Sequence, residues 1–202
     1  MTGVQTCALP ISPSAGIVDK GNHRHFMAKE IHEQPEVVGH TISRYIDASG
    51  PCVALPNPTD MKLFATAPRL TVSACGTAFY AGLVAKYLFE HLARIPVDAD
   101  IASELRYRDP VYPVGGVSLF VSQSGETADT LAALRDAKAR GQKTMAVVNV
   151  PASSMARDAD MVFPTFAGPE VGVASTKAFT CQLALLTSLA IAAGKARSEE
   201  HT

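Results

Sequence analysis

Between Ser122 and Thr127 the chain reads S-Q-S-G-E-T, which brings the hydroxyls of Ser122, Ser124 and Thr127 into one short segment. The run before it, V-S-L-F-V-S from Val117 to Ser122, has the composition of a strand. Glu126 to Arg140 follows with helical periodicity, placing Leu131, Leu134 and Ala137 on one face and Gly141 as the stop. A loop so placed sets its hydroxyls at the mouth of a helix N-terminus, where unpaired backbone N–H groups and the helix dipole favour an anion. Gly125 omits the Cβ where another group must come close. No lysine lies in the loop, and the chain has no G-x-x-x-x-G-K-[ST] pattern. Both facts disfavour a nucleoside triphosphate and favour a single phosphate held by neutral donors. Helix capping is the simpler duty for these residue types, but one cap uses one hydroxyl and this loop offers three.

What must position that loop is an alternation of strands and helices. Leu70 to Cys75, Val97 to Ile101, Val117 to Ser122, Thr144 to Asn149 and Met161 to Pro164 read as five strands, with helices at Ala78 to Leu92, Glu126 to Arg140 and Ser175 to Ala193. This alternation predicts an α/β fold, a flavodoxin-like doubly wound parallel sheet of order 2-1-3-4-5 covered on both faces. In that order a ligand binds between the loops after the first and third strands, Cys75-Gly76-Thr77-Ala78 and Ser122 to Thr127. Ahead of the sheet, Met27 to Asp47 carries Ile31, Val38, Ile42 and Ile46 at near-helical spacing, and Pro35 is expected to kink or restart that helix. Ser49 to Pro68, with Gly50, Pro51, Pro56 and Pro58, is expected to be irregular. The last helix is apolar nearly all round, which predicts burial or packing against a partner.

The chain has 202 residues, 47% hydrophobic and 18% charged, with a formal net charge of −1. That balance carries no electrostatic footprint for nucleic acid or for an anionic membrane surface. No unbroken apolar run reaches the ~18 residues a membrane helix requires, so a soluble protein is expected. Cys7, Cys52, Cys75 and Cys181 lie far apart without a C-x-x-C pair, which fits a reducing cytoplasm better than a zinc site or a disulfide scaffold. His23 and His25 flank Arg24 in the polar segment Gly16 to His25 and lack a third ligand, so no metal is expected there, and no cofactor is implied. Met1 to Ser12 and Arg197 to Thr202 read as translations of a DNA-sequencing adapter, and their back-translations are largely reverse complements, so both are expected to be non-native. The remaining divisions are a linker remnant over 13–26, a leading helix with an irregular segment over 27–68, and the sheet domain over 69–196.

V-S-Q-S-G-E-T-A-D-T-L at Val121 to Leu131 resembles the signature of the sugar isomerase (SIS) domain, a phosphosugar-binding module. M-A-K-E-I-H-E-Q-P at Met27 to Pro35, A-C-G-T at Ala74 to Thr77, I-A-S-E-L-R-Y-R at Ile101 to Arg108 and G-V-A-S-T-K-A-F-T at Gly172 to Thr180 are similar to the glutamine–fructose-6-phosphate aminotransferase family. The resemblance runs from about Lys20 to Ala196 and corresponds to the first SIS domain of that family's isomerase half. It implies that Ser122, Gln123, Ser124 and Thr127, with the Gly76–Thr77 turn, bind the 6-phosphate of fructose 6-phosphate or glucosamine 6-phosphate. It implies further that Cys75, Val173 and Ser175 line the sugar, the first two largely through backbone carbonyls. Where many relatives read C-G-T-S, this chain has Ala78, so one hydroxyl is missing. The resemblance places the catalytic groups in a glutaminase domain upstream and a second SIS domain downstream. It implies a homodimer for the intact enzyme, a cytoplasmic location and no catalytic residue within this stretch. A stand-alone phosphosugar isomerase and a phosphosugar-sensing regulatory module are the alternatives.

Other side chains have simpler readings. Glu126 at a helix N-terminus is favoured as an anion by the dipole and is read as loop support rather than a general base. Lys177 is open to two readings, an approach to the sugar pocket or a structural ion pair. Glu104, Arg106 and Arg108 are expected to form an ion-pair cluster. Cys75 has no histidine neighbour in sequence, which argues against a nucleophilic thiol.

Overall fold

A computed structural model describes residues 19–47, 52–53, 55 and 58–200. The terminal segment 1–12, the linker stretch up to residue 18, and Cys7 lie outside the described residues. The leading helix α1 spans Phe26–Ser43, and a two-stranded antiparallel pair, β1 (Ile46–Asp47) and β2 (Cys52–Val53), follows it. Next come α2 (Pro58–Thr66), β3 (Leu70–Ala74), α3 (Gly76–Leu88), which ends in a π-helical turn over Phe89–Ala93, β4 (Val97–Ile101) and α4 (Ala102–Leu105). The chain continues through β5 (Val117–Ser122), α5 (Ala128–Ala139), β6 (Lys143–Val148), α6 (Ser154–Asp158), β7 (Met161–Pro164) and α7 (Lys177–Glu200).

Strands β3 to β7 form a parallel sheet in the order β4-β3-β5-β6-β7, which is the expected 2-1-3-4-5 arrangement. The central strands β3 and β5 are buried along their whole length, as a sheet covered on both faces requires. On one face Val72, Leu119, Val121, Val147 and Phe163 pack with Ala81 and Ala85 of α3, Phe89 of the π turn and Leu185, Leu186 and Leu189 of α7. On the other, Phe120, Ala146 and Val148 pack with Ala133, Leu134 and Ala137 of α5, Leu105 of α4 and Met155 of α6. The apolar helix α7 is therefore a core helix; 61% of its most apolar window is buried inside the protein, although its length and composition alone would suit a membrane span.

Two local expectations are corrected. α1 does not restart at Pro35 but continues through it. Proline has no N–H to donate to the Ile31 carbonyl four residues back, and the Gln34 side-chain amide takes that acceptor instead at 3.0 Å. The stretch expected to be irregular contains the nine-residue α2, which opens on Pro58, a position where a proline's missing N–H costs nothing. Phe64 of α2 is fully buried. Arg197, set aside in sequence with the terminal segment, lies on α7, and its Nη1 donates to the carbonyls of Phe64, Ala65 and Ala67 at 3.2, 3.0 and 3.2 Å, a cation at the C-terminal end of α2.

α1 is tied to the end of the sheet: the Tyr45 hydroxyl donates to the Pro164 carbonyl at 2.8 Å and the Thr41 hydroxyl to that of Thr165. α7 packs against α1, α2 and α3 together. Truncating its buried Leu189 is expected to cost about 2–5 kcal/mol, the usual range for a leucine-to-alanine cavity. Urea denaturation of Leu189→Ala, read by circular dichroism, measures this.

Candidate functional site

β3 pairs with β4 on one side and β5 on the other, so the sheet order reverses between β3 and β5. Over that point lies a cavity of about 310 Å³. Three segments of chain line it. From the β3–α3 turn come Cys75, Thr77 and Ala78; from the β5–α5 loop come Val121, Ser122, Gln123, Ser124 and Thr127; and from the stretch before α7 come Glu170, Gly172, Val173, Ala174 and Ser175, with Gln182 of α7 behind them. Gly76, the first residue of α3, sits between the lining residues Cys75 and Thr77. Every position that the resemblance assigns to the phosphosugar thus lies in or directly beside this one lining. No lysine, arginine or histidine is among the described lining residues.

The β5–α5 loop is held by its own hydroxyls. Ser122 Oγ accepts from the Gly125 N–H at 3.0 Å and shares a hydrogen bond with Thr127 Oγ1 at 3.1 Å, and Ser124 Oγ accepts from the Glu126 N–H at 3.2 Å. Thr127 is the N-cap residue of α5, yet its side chain makes no capping bond. The simple capping reading therefore does not account for the third hydroxyl, and the first-turn N–H groups of α5 face the loop without a side-chain cap. Gly125 holds φ at +66°. A Cβ there would lie 2.1 Å from Ser153 Oγ and 2.5 Å from Ser153 Cβ, so the loop packs against the start of α6 as only glycine allows.

Glu126 is loop support. Its carboxylate accepts from the Ser154 N–H at 2.7 Å, at the first turn of α6, and is not part of the cavity lining. The hydrogen bonds from Ser154, chiefly the backbone one, outweigh a small burial effect and hold its carboxyl below the usual carboxylate range.

The stretch before α7 carries residues that spacing did not single out. Glu170 takes the Thr176 N–H at 2.8 Å, the Ala178 N–H at 3.2 Å and the hydroxyls of Thr176 and Ser175 at 3.2 and 3.3 Å. It is a carboxylate cap for α7, placed where the helix dipole favours an anion. Glu30 of α1 is 2% exposed, and its carboxylate accepts from the N–H groups of Val171 and Gly172. Lys177 is a structural ion pair rather than a pocket residue: its side chain is 6% exposed and its Nζ lies 2.7 Å from Glu33 Oε2, with Lys29 3.4 Å from the other oxygen. Burial acts to raise the Glu33 pKa, but Lys177 and Lys29 outweigh it and hold the carboxyl low. The K-E-I-H-E-Q-P segment could have pointed to these contacts only through its resemblance, since the partners lie more than 140 residues away.

Arg106 and Arg108 pair with Asp129 at 3.3 Å and Asp100 at 2.5 Å rather than with Glu104, which corrects the expected cluster. Cys75 is a free, half-buried thiol beside the cavity.

The family model of the SIS domain matches residues 63–192. The chain belongs to the SIS domain family. Among curated proteins it is 61% identical over 198 residues to a glutamine–fructose-6-phosphate aminotransferase (isomerizing) of Bradyrhizobium diazoefficiens, covering 97% of this chain and 32% of that protein. It is also 61% identical over 181 residues to the protein of that name from Zymomonas mobilis, covering 89% and 30%. The chain thus spans about a third of the length of the curated relatives it matches. Among solved structures, the C-terminal domain of glucosamine-fructose-6-phosphate aminotransferase from Francisella tularensis superposes with a TM-score of 0.82 at 43% identity, covering 89% of this chain and 50% of that one.

Because the folded chain holds the Glu126 carboxyl low, its ionised form stabilises the fold above the unfolded-state pKa. That contribution is lost as pH falls through the lower folded-state value. Glu126→Gln is expected to melt below the parent chain at neutral pH, with the gap closing in acid below the carboxylate range. Melting temperatures of both across pH check the sign.

Proposed function

We propose that this chain is the first, sugar-phosphate-binding SIS domain of a glutamine–fructose-6-phosphate aminotransferase, the enzyme that makes glucosamine 6-phosphate from fructose 6-phosphate and glutamine. In this reading the phosphate lies over the N-terminus of α5 on Ser122, Gln123, Ser124 and Thr127, with the Gly76–Thr77 turn beside it. The sugar lies toward Cys75, Val173 and Ser175. The observation that carries the reading is the uncapped α5 N-terminus, which opens on a cavity with neutral hydroxyl donors and no lining cation. A monophosphate suits that donor set. Val173 lines the cavity and is fully exposed, and in this reading it meets the sugar through its backbone carbonyl, as the resemblance implies. A glutaminase domain, a second SIS domain and a second copy of the whole protein would complete the enzyme in the cytoplasm.

Titration calorimetry with fructose 6-phosphate and with fructose tests the binding half. The phosphosugar is expected to bind and the free sugar not to; equal binding of both sinks the phosphate site. Ser124→Ala is expected to weaken the phosphosugar on the order of tenfold, the worth of one hydrogen bond to an anion. Ala78→Ser, which restores a hydroxyl at a lining position, is expected to tighten it by a factor on the order of ten. The chain alone is expected to form no glucosamine 6-phosphate from fructose 6-phosphate and ammonia. The two carboxylates nearest the site are both committed elsewhere, Glu170 to the α7 cap and Glu126 to Ser154. A coupled assay for glucosamine 6-phosphate checks this.

A further inference from the structure

We infer that Glu30, on a helix outside the sheet, is the positioning residue for the sugar side of the cavity, so that α1 sets which ligands the site discriminates. The inference rests on the reading of the cavity as a phosphosugar site. The cavity has two kinds of wall. The β5–α5 loop is self-supporting, through Ser122, Thr127 and the Gly125–Ser153 contact. Gly172 to Ser175 has no strand or helix of its own: α7 begins only at Lys177, and β7 ends at Pro164.

Glu170 ties the end of that wall to the start of α7, and what holds its beginning comes from α1. Glu30 Oε1 accepts from the Val171 N–H at 2.6 Å, and both its oxygens lie 3.1–3.2 Å from the Gly172 nitrogen. A buried carboxylate without partners is costly, so the two amides and the carboxylate hold one another in place. Gly172 is what lets them meet, because a Cβ there would lie 2.6 Å from Glu30 Oε2 and 3.6 Å from the Met27 Cα. One turn along α1, Glu33 holds Lys177 at the start of α7. Glu30 therefore fixes the backbone immediately before Val173, while Glu33 anchors the Lys177 side chain just after Ser175 and Glu170 takes the Thr176 N–H. Glu30 is thus the support that reaches the sugar-side wall from α1 at Val171 and Gly172, whereas the phosphate-side loop has no hydrogen bond to it among the described residues. Loosening Glu30 should cost sugar recognition and spare phosphate recognition.

Glu30→Gln keeps the shape but turns one acceptor into a donor against an amide N–H. In the 202-residue chain it is expected to raise the Kd for fructose 6-phosphate by about tenfold or more, on the scale of a lost charge-assisted hydrogen bond, while the Kd for inorganic phosphate changes less than twofold. Hydrogen exchange at the Val171 and Gly172 amides should speed up, with exchange at Gly125 unchanged. Gly172→Ala, which crowds the same carboxylate from the loop side, should reproduce the split. The double variant should lose little beyond either single one. Should Glu30→Gln fail to fold by far-UV circular dichroism, Gly172→Ala and Glu30→Asp carry the same comparison, with Asp expected to retain part of the discrimination. A merely structural role would lower the melting temperature and weaken both ligands alike, which overturns the inference. Unchanged fructose 6-phosphate binding with unchanged exchange at 171 and 172 also overturns it. A parent chain that does not prefer fructose 6-phosphate to inorganic phosphate overturns the phosphosugar reading itself, a result distinguishable from the other two because it appears before any substitution.

Discussion

The candidate site exists because β3 has a parallel neighbour on each side. Crossovers between parallel strands are right-handed, so the connection from β3 toward β4 and the connection from β5 toward β6 must leave the sheet on opposite faces. α3 accordingly packs on the face that holds Val72 and Leu119, and α5 on the face that holds Phe120 and Ala146. Neither helix covers the gap between the C-terminal ends of β3 and β5, and both begin beside it. A cavity floored by two turns and a helix N-terminus follows from strand order before any side chain is chosen. Side chains then decide what it holds, and the absence of a lysine or arginine from the described lining leaves the work to hydroxyls and backbone N–H groups.

Strand order alone does not close the site. The third wall is an extended stretch between β7 and α7, and its conformation is set by carboxylates. Glu170 caps α7, Glu30 receives the amides of Val171 and Gly172, and Glu33 neutralises the buried Lys177. The two buried charges, Glu30 and Lys177, would be costly if left unpaired. The partners of the carboxylates are backbone groups or charges of the same stretch, so α1, the 170–177 segment and α7 must assemble together. The hydroxyl and phenol contacts from Thr41 and Tyr45 to the end of β7 extend the same clamp along α1. A helix that precedes the sheet in sequence in this way supports the cavity wall without lining it.

Legibility in the sequence followed the range of the interaction that decides each feature. The strands of the sheet, their order and the two turns at the reversal point depend on local runs and on spacing, and they were readable. So was the burial of α7, from an apolar surface with no polar face. The continuity of α1 was not, because it depends on Gln34 taking the carbonyl that Pro35 leaves free. The short helices α2, α4 and α6 escaped a periodicity that needs longer windows. Glu170, Gly172 and Ala174 as lining residues were missed because the segment before α7 has no secondary structure to place it, and Gln182 because it is a lone amide on a largely apolar helix. Glu30 was invisible for a further reason: a glutamate on a leading helix looks solvated until its partners, at Val171 and Gly172, are brought to it by the fold.

The way acidic groups are used here also bears on what kind of chemistry the cavity suits. A group that moves protons at neutral pH needs both reach to the reacting atoms and a pKa near neutrality. Glu170 lines the cavity, but its carboxylate is engaged by two amides and two hydroxyls at the start of α7. Glu126 is held low by Ser154 and lies outside the lining. Glu30 and Glu33 are spent on the wall. The described acidic side chains around the site are thus used to hold backbone and neighbouring side chains in place.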